Sequence, residues 1–128
     1  MVDSNHNTLD VYVVDDDVSV LRSTSRLLDC AGWKVEFFAN PNEFLERAES
    51  RRPDVAVIDI LMPKMSGLEV QKRLRQVSPS TRVVILTSKD DPSIRSMAME
   101  AGASAFFVKG VDKEEFLDGI KAAADSTQ

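Results

Sequence analysis

Short apolar runs alternate with longer amphipathic stretches along the chain. The runs are rich in β-branched residues and bounded by turn formers, which predicts strands at about 11–14, 34–38, 55–59, 82–87 and 105–108. Val11-Tyr-Val-Val14, Val55-Ala-Val-Ile58 and Val83-Val-Ile-Leu86 are nearly all apolar, as central strands covered on both faces require. Lys34-Val-Glu-Phe-Phe38 partly alternates and reads as an edge strand. Between the runs, apolar residues recur at helical spacing in Val70, Leu74 and Val77, in Ile94, Ala98 and Ala101, and in Phe116, Ile120 and Ala123. These stripes are core faces of helices. Met97, Met99 and Cys30 read as packing filler.

Helix starts are marked by capping chemistry. Asn40-Pro-Asn-Glu43 and Ser66-Gly-Leu-Glu69 carry a cap with a glutamate three residues on. Asp91-Pro92 joins a cap to a proline, Asp112 and Glu115 repeat the box with an aspartate, and Asp17 caps the first helix. Gly32 and Gly102 stand where helices should stop. Five strand–helix repeats without a break predict an α/β fold: one parallel sheet, right-handed crossovers and helices on both faces. A chain of 128 residues suffices for one domain with one core. The domain is expected over 9–124, between an N-terminal tail at 1–8 and a C-terminal tail at 125–128.

Charge narrows the partners. A net charge of −5 argues against this domain gripping a nucleic-acid backbone by itself. One cysteine excludes an internal disulfide framework and fits a reducing compartment. No apolar run approaches the roughly 20 residues of a membrane span, and the polar start lacks the apolar segment of a signal peptide. A soluble, cytoplasmic protein is expected.

The chemistry lies where the runs end. The first ends in Asp15 and Asp16, the third in Asp59, the fourth in Thr87 and the fifth in Lys109. Ligands of an open parallel sheet bind outside the carboxyl ends of its strands. With these runs as parallel neighbours, three carboxylates, a hydroxyl and an ammonium converge. Clustered carboxylates call for a cation, and a carboxylate beside that cation, with a hydroxyl and an ammonium, suits a phosphoryl group.

Val13-Val-Asp-Asp16, Ile58-Asp-Ile-Leu-Met-Pro63, Ser66-Gly67, Ile85-Leu-Thr-Ser88, Ala101-Gly-Ala103 and Phe107-Val-Lys109 together resemble the receiver domain of bacterial two-component response regulators. The resemblance covers about 9–124. It implies a single doubly wound (βα)5 domain, with a five-stranded parallel sheet of order 2-1-3-4-5. Asp59 would be the phosphoacceptor, its carboxylate attacking an incoming phosphoryl group to form an acyl phosphate. Asp15 and Asp16, with the Asp59 carboxylate and the Leu61 carbonyl, would bind Mg²⁺, which prefers oxygen ligands and keeps several waters. Asp17 would remain a helix cap. Thr87 and Lys109 would contact the phosphoryl oxygens, and Thr87 with Phe106 would form the switch. The output surface would lie near 94–101, Phe106 and Phe116. The implied donor is a histidine kinase or phosphotransfer protein, and a homodimer formed on phosphorylation is a further implied partner. The only histidine, His6, sits in the polar tail, so this is not itself a phosphohistidine carrier.

Two positions depart from the pattern. Gly110 stands where the family usually has proline, so the loop before the last helix is expected to be less fixed. Phe106 occupies the switch aromatic position without a tyrosine's hydroxyl. Two rival readings remain. One is a non-phosphorylated pseudo-receiver acting as an interaction module. The other is a small phosphatase of the haloacid dehalogenase type, which Asp15-Asp-Asp17 superficially allows but which lacks its cap insertion and downstream acidic pair here. Slow self-dephosphorylation is expected, without turnover of an external substrate.

Overall fold

The computed structural model describes residues 8–125. The tail expected at 1–8, His6 included, lies outside the described residues except for Thr8, as do 126–128. The chain runs β1 (Asp10–Val14), α1 (Val18–Cys30), β2 (Lys34–Phe38), α2 (Pro41–Arg51), β3 (Val55–Ile58), α3 (Gly67–Val77), β4 (Arg82–Thr87), α4 (Pro92–Glu100), β5 (Ala105–Val108) and α5 (Lys113–Asp125). The strands form one sheet of order β2-β1-β3-β4-β5, and every pairing is parallel.

Strand alternation makes two cores. Tyr12, Val14, Ala56, Ile58, Val83, Ile85 and Phe106 face one way, against Phe44 of α2, Val70 and Leu74 of α3 and Ala98 of α4. Val11, Val13, Val55, Val57, Val84 and Leu86 face the other, against Leu21 and Leu28 of α1 and Phe116 and Ile120 of α5. Each fully buried Leu, Ile or Phe contributes about 1.5–3 kcal/mol relative to exposure. The three all-apolar strands are therefore the central ones, and β2 is an edge.

The caps form as their residue types require. The Asp17, Asn40 and Asp91 side chains accept from backbone N–H groups in the first turns of α1, α2 and α4. Ser66 Oγ accepts from the Glu69 N–H at 3.3 Å, and Asp112 Oδ2 from that of Glu115 at 3.2 Å. Gly32 and Gly102 follow the ends of α1 and α4. α2 ends on Arg52, which adopts φ 52°. Its N–H donates to the Ala48 carbonyl, closing the helix in the left-handed conformation common at helix ends.

Four side chains sit differently from an expectation that the sequence raised. Cys30 ends α1 but is exposed rather than filling the core. Met97 and Met99 are exposed on α4, a helix of nine residues that buries only Ala98. Phe116 is buried between α5 and the sheet, as its helical spacing predicts, and so is not part of the output surface that the resemblance implied. Spacing identifies a helix face but not how deep the helix sits.

Candidate functional site

Parallel register brings four strand ends to one edge. The Asp15 N–H donates to the Phe38 carbonyl at 3.1 Å, the Asp59 N–H to that of Val14 at 3.1 Å, and the Lys109 N–H to that of Thr87 at 2.8 Å. Each functional residue lies at or just beyond the end of its strand, held by the neighbouring strand. Asp59 is the first residue past β3, not its last.

The side chains meet there. Ligand oxygens of Asp15, Asp16 and Asp59 all lie within 4.8 Å of one another. Asp15 and Asp59 are buried, and Asp16 is exposed. Lys109 Nζ stands 2.9 Å from Asp15 Oδ2 and 3.5 Å from Asp59 Oδ2. The Leu61 N–H donates to Asp59 Oδ1 at 3.2 Å, and the Asp17 N–H to Asp15 Oδ1 at 3.0 Å. The second oxygen of each buried carboxylate is thus fixed by backbone. Leu61 itself is exposed, and its side chain leaves the cluster.

Burial, and then the charge of Asp15, push the Asp59 carboxyl above its ordinary value, while Lys109, the Leu61 N–H and the Thr87 hydroxyl pull it down. Burial works against the Lys109 charge, but the hydrogen bond to Asp15 and the charges of Asp59 and Asp15 outweigh it and raise its pKa. Thr87 is fully buried. Its hydroxyl lies near enough to Asp59 to favour the charged carboxylate, yet it has no hydrogen-bond partner of good geometry among the described residues. A buried hydroxyl without a well-formed hydrogen bond carries a desolvation cost.

Three carboxylates against one ammonium leave a formal excess of two negative charges. That excess and the all-oxygen donor set fit a hard divalent cation of the Mg²⁺ kind. A cavity of about 210 Å³ lined by Asp16, Ala39, Asn40, Pro41, Met62, Pro63 and Lys64 opens beside the cluster.

Gly110 has a structural reason. The Val111 N–H donates to the Val108 carbonyl at 3.1 Å, closing a turn in which Gly110 is the third residue, at φ 97°. A type II turn demands such a φ at that place. Proline, held near −65°, cannot adopt it. The departure therefore makes a defined hydrogen-bonded turn that carries Lys109, not a loosened loop. Gly110→Pro should destabilise the fold by about 2–3 kcal/mol, read from the urea midpoint at unchanged slope.

Phe106 is turned inward and buried. The Arg95 guanidinium of α4 lies 4.6 Å from its ring centroid and 3.5 Å from Asp90 in the loop after β4. The guanidinium makes a cation–π contact with the ring. Nothing in the sequence pointed to Arg95, because charged residues on an exposed helix face are common. Gln71, also missed, is the one polar side chain of α3 that is fully buried.

Residues 11–121 match the family model described as the response regulator receiver domain. The chain is similar to the response regulator MprA of Mycolicibacterium vanbaalenii, with 37% identity over 88% of this chain and 48% of the relative. It is also similar to the response regulator protein TodT of Pseudomonas putida, with 34% identity over 88% of this chain and 50% of the relative. The chain thus spans about half the length of these curated relatives. Among solved structures, it is similar to a CheY-like response regulator receiver domain protein from Methanospirillum hungatei, with 30% identity, TM-score 0.84, and coverage of 90% of this chain and 92% of that one. It is likewise similar to the chemotaxis protein CheY4 of Vibrio cholerae, with 31% identity, TM-score 0.84, and coverage of 91% and 98%.

Proposed function

The chain belongs to the response regulator receiver family, whose role is phosphorelay signal transduction with a histidine kinase as partner, and within that role we propose that Asp59 is its phosphoacceptor. The observation that carries this reading is the Lys109 ammonium, shared between buried Asp15 and Asp59 at 2.9 and 3.5 Å. It lies beside the buried hydroxyl of Thr87, which has no hydrogen-bond partner of good geometry among the described residues. Receiver domains are generally Mg²⁺-dependent, and Asp15, Asp16, Asp59 and the Leu61 carbonyl would hold the ion. When bound, Mg²⁺ supplies charge neutralisation for the carboxylates and for the phosphoryl oxygens.

The protein's own groups do the rest by position and electrostatics. An Asp59 carboxylate oxygen attacks phosphorus, the bond from phosphorus to the donor imidazole nitrogen breaks, and that nitrogen keeps the electron pair. Lys109 stabilises the charge on the equatorial oxygens. The Thr87 hydroxyl donates to another of them, moving the β4–α4 loop. Phe106 and α4 then report the state, as a population shift toward the form that binds phosphoryl better. Homodimerisation on phosphorylation is part of this output, and the acidic domain makes no direct nucleic-acid contact. No helix among the described residues is long and apolar enough to cross a membrane. The receiver is proposed to act in the cytoplasm, where its histidine kinase partner would meet it.

Acetyl phosphate with Mg²⁺ tests the assignment. Mass spectrometry should show one phosphoryl addition, labile at alkaline pH and absent in Asp59→Asn. Labelling that survives this substitution moves the acceptor to Asp15 or Asp16. No labelling of the wild-type chain under any donor would favour the pseudo-receiver reading.

A further inference from the structure

α3 begins against the acceptor. The Gly67 N–H donates to the Ile60 carbonyl at 3.0 Å. A Cβ at position 67 would collide with the Asp59 carbonyl and lie 2.6 Å from Ile60 Cα. The first residue of α3 is therefore in backbone contact with Asp59 and Ile60, and a shift of that loop moves the helix, because packed interiors transmit strain.

One turn on, Gln71 enters the core with 0% exposure, and its Nε2 donates to the Ala98 carbonyl at 3.0 Å. One further turn on, Arg75 donates to the Ala101 carbonyl at 3.2 Å. Ala98 lies in the last turn of α4, and Ala101 is its cap. Two side chains on one face of α3 thus tie down the C-terminal carbonyls of α4. These ties matter because α4 buries only Ala98, so apolar packing holds it weakly. Gln71 Oε1 is buried with no partner among the described residues. An apolar side chain of that volume would avoid the cost of a stranded carbonyl. What the amide adds is a directed bond to α4.

We propose that α3 carries the state of the acceptor loop to the C-terminal end of α4, with Gln71 as the positioning residue. This route is separate from the one through Thr87 and Phe106, and it rests on the reading of Asp59 as acceptor. α4 is then held at both ends. Asp90, Arg95 and Phe106 act at its start, and Gln71 and Arg75 at its end.

The experiment uses the full chain, with beryllofluoride and Mg²⁺ as the probe and amide NMR as the readout. In metal-free Gln71→Met, which keeps the volume and removes the donor, amides at 101 and 102 should exchange about three- to tenfold faster than in wild type, the equivalent of one net hydrogen bond. On adding the probe, shifts at 97–102 should fall below half of wild type while those at 88–90 persist. Thr87→Ala should do the reverse. Arg75→Met, at an exposed position, should give the same pattern more weakly, and it serves if Gln71→Met does not fold. Wild-type exchange and wild-type shifts at 97–102 in both α3 variants overturn the route. So does Thr87→Ala if it erases the 97–102 response. A wild-type chain in which the probe moves no amide would overturn the acceptor reading instead, and the metal-free exchange result tells the two failures apart.

Discussion

Lys109→Ala should slow acetyl phosphate labelling of Asp59 about 100- to 1,000-fold, whereas Thr87→Ala should slow it about tenfold at most. The difference follows from what each group offers. Lys109 brings a full charge, 2.9 Å from Asp15 and 3.5 Å from Asp59, already in place before any phosphoryl arrives. Removing one preorganised electrostatic donor costs about 10²–10³ in rate. Thr87 brings one neutral hydrogen bond, worth about 0.5–1.5 kcal/mol. Stability should divide the two variants in the same order. Without Lys109, two buried carboxylates face each other with no ammonium between them, and the metal-free fold weakens. Without the Thr87 hydroxyl, a buried group with no hydrogen bond of good geometry among the described residues is removed, so the resting fold should change little. The reporter of the switch is the Phe106 ring, followed by its chemical shifts on addition of beryllofluoride. Thr87→Ala should label and yet lose most of that ring response. If its ring shifts fully, Thr87 does not couple acceptor to aromatic, and α3 carries the signal alone.

Much of this arrangement could be read before the fold was known, for identifiable reasons. Buried parallel strands are apolar runs, so their carboxyl ends, and with them Asp15, Asp59, Thr87 and Lys109, could be read directly. Capping is local chemistry, so Asp17, Asn40, Ser66, Asp91 and Asp112 announce their helices. Gly110 shows the limit of composition. Its freedom suggested a loose loop, whereas the positive φ is demanded by a closed turn. Phe116 is in the core, as its helical stripe predicts, and not on the output surface that the resemblance implied. Met97 and Met99, read as filler from residue type, are exposed because α4 docks shallowly. Gln71 could not be found, because it lies off the apolar stripe of Val70 and Leu74 and its partner is a backbone carbonyl 27 residues away. Tertiary contacts of that range leave no trace in local spacing.

Mg²⁺ at about 100 times its dissociation constant should stabilise the protein by about 2.7 kcal/mol, which for a domain of this size raises the melting temperature by about 10 °C. The cause is the acidic cluster, where two like charges 4 Å apart oppose each other by about 4 kcal/mol at an effective dielectric of 20, less what Lys109 cancels. Asp16→Asn should raise metal-free stability by about 1 kcal/mol and abolish most of the Mg²⁺ increment. The pH dependence has a definite sign. The Asp59 pKa is raised from its ordinary value of 3.8, first by burial and then by Asp15. Its contribution to stability is therefore fully present below that value and is lost as pH rises through the higher folded value. The melting temperature of metal-free Asp59→Asn, less that of wild type, should accordingly grow as pH rises from about 3.8 and then level off. Lys109 is raised in the same sense, so its stabilisation persists through neutral pH and disappears only in alkali. Mg²⁺ competes with the proton on Asp59, so its stabilising increment should grow over the same window in which the metal-free protein weakens. A melt that ignores millimolar Mg²⁺, or a difference between Asp59→Asn and wild type that is flat with pH, would remove the basis for placing a divalent cation among Asp15, Asp16 and Asp59.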